Sequence, residues 1–217
     1  MTKKLPLPPT ATDEEVRAIL KRYDCQVPFH AVRTRFLGNI ATPAMEATPI
    51  KIVESLWDGK LPAFDTVDAA NELIGALTMG LWNRLSQHQD RSLPFRLTRM
   101  DTGPTRKGLA NLSLTRRQEL DGFIEGLFGS HAKLDFPERA HRGLDALAEM
   151  RALFAAVVDA ATDEAIPGTQ KDKEKTLQLL HEITKNAELE VHAIVRSCAR
   201  ARQQFLISMP ALKPTLH

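Results

Sequence analysis

The stretch from about Lys171 to Leu206 constrains this chain more than any other. Leu180, Ala187, Val191, Ile194, Cys198, Ala201 and Phe205 recur in alternating steps of three and four, with Thr184 in the one slot where an apolar residue is missing. That is a heptad seam, so the segment is predicted to be one helix of roughly 50 Å, at about 1.5 Å per residue, packed nearly parallel to a neighbour. No part of the chain shows the strict alternation of a half-buried strand. The expected fold class is all-α: a single helical-bundle domain of six or seven helices with this long C-terminal helix at residues 171–206.

A chain of 217 residues and 24.2 kDa is long enough to bury a core without staples. Residues 1–11 hold three prolines and read as a flexible tail, leaving 12–217 as the domain. Met1-Thr2-Lys3-Lys4 is followed by no apolar run, which argues against a signal peptide. The longest apolar run, Ala152–Val158, falls far short of the roughly 20 residues of a membrane span. Cytoplasmic localisation is the expectation, with no membrane partner. Cys25 and Cys198 are too few and too far apart for a disulfide framework.

Other helices are marked by their caps. Thr12 and Glu15 form a capping box opening a helix to about Tyr23. Pro28 leads into Phe29, Val32, Phe36 and Ile40, one helical face closed by Pro43. Thr48-Pro49 starts a short helix stopped by Gly59, and Asp65 or Thr66 caps a longer one burying Leu73, Ile74, Leu77, Leu81, Trp82 and Leu85. Asp90–Ser113 has no sustained period and reads as a long loop, and loops of that length are functional or mobile. Thr115 and Gln118 read as a second capping box before Leu120, Phe123, Ile124, Leu127 and Phe128. Pro137 starts a helix that ends before Pro167-Gly168.

Searches for chemistry return little. Glu138 and His141 have E-x-x-H spacing, but a di-iron bundle needs a second such pair and two further glutamates. His181, Glu188 and His192 fall on one side of the last helix and are weak metal candidates, since zinc would need a further ligand from another element. No nucleophile elbow, P-loop, H-E-x-x-H or Rossmann glycine pattern is present. We therefore assign no catalytic residue, metal or cofactor, and expect a non-enzymatic protein.

Charge is more informative than motifs. Arg91, Arg96, Arg99, Arg106, Lys107, Arg116 and Arg117 stand against the single acid Asp101. After Glu190 come Arg196, Arg200, Arg202 and Lys213 with no acidic side chain, in a protein of net charge only +2. Such clusters bind an acidic protein surface or phosphate backbones. An interaction or regulatory protein acting through protein–protein contacts is the first reading; a nucleic-acid-binding regulator using the basic loop 91–117 is the alternative, and a metal-dependent enzyme stands third.

Phe29–Pro43, Ser55-Leu56-Trp57 before Leu61-Pro62-Ala63-Phe64, the helix carrying Trp82-Asn83, and Gly122-Phe123-Ile124-Glu125-Gly126-Leu127 follow in an order that resembles the YecA/YgfB-like family of bacterial helical proteins, over residues 29–129. The tryptophan that often precedes the family's GF pattern is absent, with Glu119-Leu120-Asp121 in its place, and so is the C-terminal zinc module of some members. The resemblance implies a fold rather than a reaction. Within it, Gly122 and Gly126 are expected to let a neighbouring helix approach closely beside Phe123.

The last helix also exceeds any internal partner foreseen from the sequence. Its uncovered turns are expected to expose Val191, Ile194, Cys198, Ala201 and Phe205, which would form the seam of a homodimer.

Overall fold

Threonines and prolines decide where the helices begin. The computed structural model describes residues 11–44, 48–163 and 169–208, so the expected tail, apart from Ala11, and the Pro167-Gly168 break lie outside the described residues. Helix α1 (Asp13–Arg22) opens on the expected capping box: Thr12 Oγ1 accepts from Glu15 N at 3.2 Å and Glu15 Oε2 accepts from Thr12 N at 2.7 Å. Helix α2 (Phe29–Ala41) follows Pro28. Helix α3 (Pro49–Glu54) tightens into a 3-10 turn, Ser55–Trp57. It stops where Asp58 and Gly59 take positive φ of 54° and 85°.

Helix α4 (Val67–Gly75), capped by Thr66, runs through a π-helical stretch, Ala76–Trp82, into α5 (Asn83–Ser86) and a 3-10 turn, Gln87–Gln89. Four leucines explain the π stretch. Leu73, Leu77, Leu81 and Leu85 are uniformly four apart, and all are buried. An α-helix rotates such positions by about 40° per step, whereas a wider turn offsets the drift and keeps all four inside.

The largest departure from expectation lies in the presumed loop. Helix α6 (Arg106–Phe128) begins ten residues before the Thr115 cap foreseen for it, after Thr105, whose Oγ1 accepts from Gly108 N at 3.0 Å. Thr115 is interior to the helix, and the loop is residues 90–105. The early turns escaped notice because their buried face is partly polar: Ser113, Arg116 and Glu119 sit inward among Leu109, Leu112 and Leu120. Hydrophobic periodicity does not register such a face.

Helix α7 (Glu138–Thr162) and helix α8 (Gln170–Ser208) complete the bundle. Helix occupies 75% of the described residues and no strand occurs among them, so the chain is all-α. No helix among the described residues is long and apolar enough to cross a membrane.

The backbones of α2 and α6 touch. A Cβ built on Gly126 would overlap Arg35 O, one on Gly122 would lie 2.6 Å from Ala31 O, and one on Gly38 would overlap Phe123 O. The contact registers rise together along both helices, so α2 and α6 run parallel, with fully buried Phe123 beside the glycines. Gly38, the reciprocal glycine on α2, was not singled out in the sequence.

The expected dimer seam needs correction. Val191, Ile194 and Cys198 are wholly buried within a single chain, and Ala201 is half-buried. The seam is covered by several elements rather than by one long partner. Gly143 of α7 lies against Ile194, where an added Cβ would come within 2.7 Å of Ile194 Cγ1. Farther along, Arg202 donates to Ile40 O of α2 at 2.6 Å and to Gln89 Oε1 at 3.2 Å. Only the last turns emerge, with Phe205, Leu206 and Ile207 50%, 56% and 76% exposed.

Candidate functional site

The loop of residues 90–105 is fastened to the bundle by two glutamates. Glu119 Oε1 accepts from Thr98 N at 2.7 Å while its Oε2 accepts from Arg116 at 2.5 Å. Arg116 in turn donates to Thr98 O at 2.8 Å and to Thr184 Oγ1 of α8 at 3.2 Å. Arg116 and Glu119 are both buried, so this ion pair is part of the interior. Glu188 of α8 does the same one turn away, accepting from Leu97 N at 3.0 Å and from Arg96 at 2.6 Å. Phe95 and Leu97 are driven inward between these anchors.

That arrangement divides the basic residues foreseen as one loop site. Arg116 belongs to the core, which corrects its assignment as a polyanion contact. Arg96 is paired with Glu188, and Arg106 donates to Asp163 O at 3.1 Å. Arg99 and Lys107 are exposed on the loop and on the first turn of α6, while Arg117 is half-buried with its Nε enclosed and unbonded. Lys213 lies outside the described residues.

Arg91 has a different setting. It lines a cleft of about 640 Å³ together with Arg196, Arg200 and Arg202 of α8, and among the described residues no acidic side chain lines it. Arg196 and Arg200 are one helical turn apart, so their side chains leave the same face. The α4–α5 rod contributes Trp82, Ser86 and Gln89, while Ile40 and Leu206 add apolar wall. Asp90, beside Arg91, turns its carboxylate to Ser92, accepting from its N and its Oγ at 2.8 Å each. Those bonds, more than nearby Arg196, hold the Asp90 carboxyl below its usual range. Arg91, Arg196 and Arg200 make no hydrogen bond or ion pair with any described residue.

Arg202 forms the rigid floor of this cleft. Burial pushes its pKa down, but its bonds to Ile40 O and Gln89 fix the guanidinium in place. His192 sits alongside with Nδ1 enclosed and unbonded. Its pKa is lowered, first by burial and then by nearby Arg196, His88 and Arg96.

The weak metal trio is not brought together as ligands. Both oxygens of Glu188 are taken by the loop and His181 is exposed. Among the described residues no group of three or more His, Cys, Asp or Glu is placed to hold a metal. The thiol of Cys198 is pushed up to about 11 by burial, and that of Cys25 is raised by burial, which makes both poor nucleophiles at neutral pH.

The sequence displayed the excess of base after Glu190 but not its meeting with Arg91. The residues that join at the cleft floor, Gln89 and Arg202, are 113 positions apart. No family model matches this chain, and neither a curated protein nor a solved structure matches it.

Proposed function

We propose that this is a non-enzymatic interaction protein of the cytoplasm whose basic cleft docks an acidic segment of another protein. The observation that carries the reading is the convergence of Arg91, Arg196, Arg200 and Arg202 on one cleft with no acidic side chain among its described lining residues. Three guanidiniums that pair with no described residue, around a fixed fourth, form a preorganised anion site, and guanidinium geometry suits carboxylate pairs. The apolar wall at Ile40, Trp82 and Leu206 favours an acidic segment that carries apolar side chains as well. A nucleic-acid backbone calls for a basic track, whereas the bases of residues 91–117 are spread over a cleft, a surface and the core.

Membership of the YecA/YgfB-like family stays a proposal, supported by the order of elements and by the glycine pair within α6. The homodimer is likewise proposed in an altered place, through the exposed tip Phe205–Ile207 instead of Val191–Cys198.

A direct test titrates the full chain with two fluorescent probes of equal charge: a peptide alternating glutamate pairs with leucine or phenylalanine, and a single-stranded oligonucleotide. The reading expects saturable binding of the peptide that weakens as salt rises from about 50 to 200 mM. Tighter binding of the oligonucleotide, with a steeper salt slope, would shift the assignment to nucleic acid.

A further inference from the structure

A second cleft, of about 540 Å³, lies between α3 and the C-terminal turns of α2 and α6. Arg35 and Asn39, one turn apart on α2, both line it. Asn39 is only 6% exposed, yet its carboxamide makes no hydrogen bond with a described residue, and Oδ1 is enclosed without a partner. Arg35 is held by two of its nitrogens, with Nη1 donating to Ser55 O at 3.1 Å and Nη2 pairing with Glu125. Its Nε–H is enclosed and unused. Native interiors rarely leave a donor and an acceptor without partners one helical turn apart, because each costs desolvation that no partner repays.

The remaining lining selects among ligands. Among the described lining residues Arg35, Lys51 and His131 meet Glu54, Asp58 and Glu125, so a phosphate or carboxylate is less favoured here than at the arginine cleft. Ile52 and Phe128 supply apolar wall, and the volume falls in the range of small-molecule sites. The complement of a guanidinium donor and a carboxamide acceptor one helical turn apart, both without partners, is a carbonyl and an N–H, as on the edge of an amide or an imide.

We propose that this cleft binds an uncharged, nucleoside-sized molecule through an amide-type edge, its carbonyl accepting from Arg35 and its N–H donating to Asn39 Oδ1. No hydrogen bond to a described residue fixes the Asn39 carboxamide, so it turns about χ2 toward a ligand without breaking one. Gly126, against which α2 packs, also lines the cleft and leaves no side chain in the way.

Calorimetric titration of the full chain with uridine tests the proposal, with uridine 5′-monophosphate as the charged control. Uridine should bind saturably below about 10 mM, the monophosphate more weakly, and Asn39→Ala should weaken uridine by about tenfold. The charge reversals Arg91→Glu and Arg196→Glu should leave uridine binding unchanged, which separates this site from the arginine cleft. Should Asn39→Ala fail to fold, the Asn39 side-chain amide resonances of the parent protein must move with uridine concentration. No saturable binding, equal binding by Asn39→Ala, tighter binding of the monophosphate, or stationary Asn39 resonances overturns the proposal.

Discussion

The α2–α6 contact and the arginine cleft are opposite solutions to placing helices near one another. At the first, Gly38, Gly122 and Gly126 let main chain meet main chain, and nothing else can enter. At the second, α8 approaches the α4–α5 rod through long charged side chains, and a space stays open between them. One region fixes the fold and tolerates almost no substitution. The other is held at its floor by Arg202 and carries three arginines that the fold does not use. Stability and binding are thereby assigned to different residues, which makes the contrast open to experiment.

The largest effect is expected at the closed contact. Gly126→Leu drives a side chain into the Arg35 carbonyl, where only backbone movement could give relief. The loss should exceed the roughly 1–3 kcal/mol of ordinary overpacking, and thermal unfolding should find little folded protein. A melting temperature equal to or above the parent's would break the comparison at its stable end, since an open helix surface gains from a better helix former.

Next come two positions on α8 that looked alike in the heptad. Ile194→Glu buries a carboxylate with no designed partner and should cost about 3–5 kcal/mol or unfold the chain, whereas Phe205→Glu should stay within about 0.5 kcal/mol. Sedimentation of the same Phe205→Glu variant sharpens the placement of the dimer. The parent is expected as a dimer and the variant as a folded monomer; identical sedimentation of the two would remove the tip from any self-contact.

The loop clamp is of similar size. Arg116→Met leaves Glu119 buried without its cation, and denaturant unfolding should show a loss of about 3 kcal/mol or more. Unchanged stability would mean the pair is not closed off from water as its burial indicates.

These positions show how far the sequence could be read. The helices whose ends carry threonine or proline, at Thr12, Pro28, Thr66 and Pro137, were legible because capping is local chemistry. The start of α6 was not, because its interior face carries Ser113, Arg116 and Glu119, and polar residues that satisfy each other leave no hydrophobic period. Gly122 and Gly126 were legible as a close-packing pair; Gly38 became meaningful only once its partner helix was known. The heptad of α8 gave the seam but not its owner, since Ile194 inside a chain and Ile194 between two chains have the same sequence signature. The arginine cleft was half-visible as two basic stretches, and long-range folding alone united one residue of the first with three of the second.

The smallest expected effect is pH dependence beside that cleft. The native pKa of His192 lies below its ordinary 6.5, so the unfolded chain takes up the proton first. The stability that goes with neutral His192 is complete above about pH 6.5 and is lost as pH falls through the lower native value. His192→Gln should flatten the decline in melting temperature below about pH 6.5, and an identical decline in parent and variant would place the titrating group elsewhere.

The central claim, that the arginines of the cleft bind and do not hold the fold, is tested most directly by one variant read in two ways. Arg91→Glu/Arg196→Glu/Arg200→Glu should melt within a few degrees of the parent, since none of the three is bonded to a described residue. In the same preparation, anisotropy should show at least about a hundredfold loss of affinity for the acidic, leucine-containing peptide. A variant that keeps its fold and binds the peptide as the parent does would contradict the account.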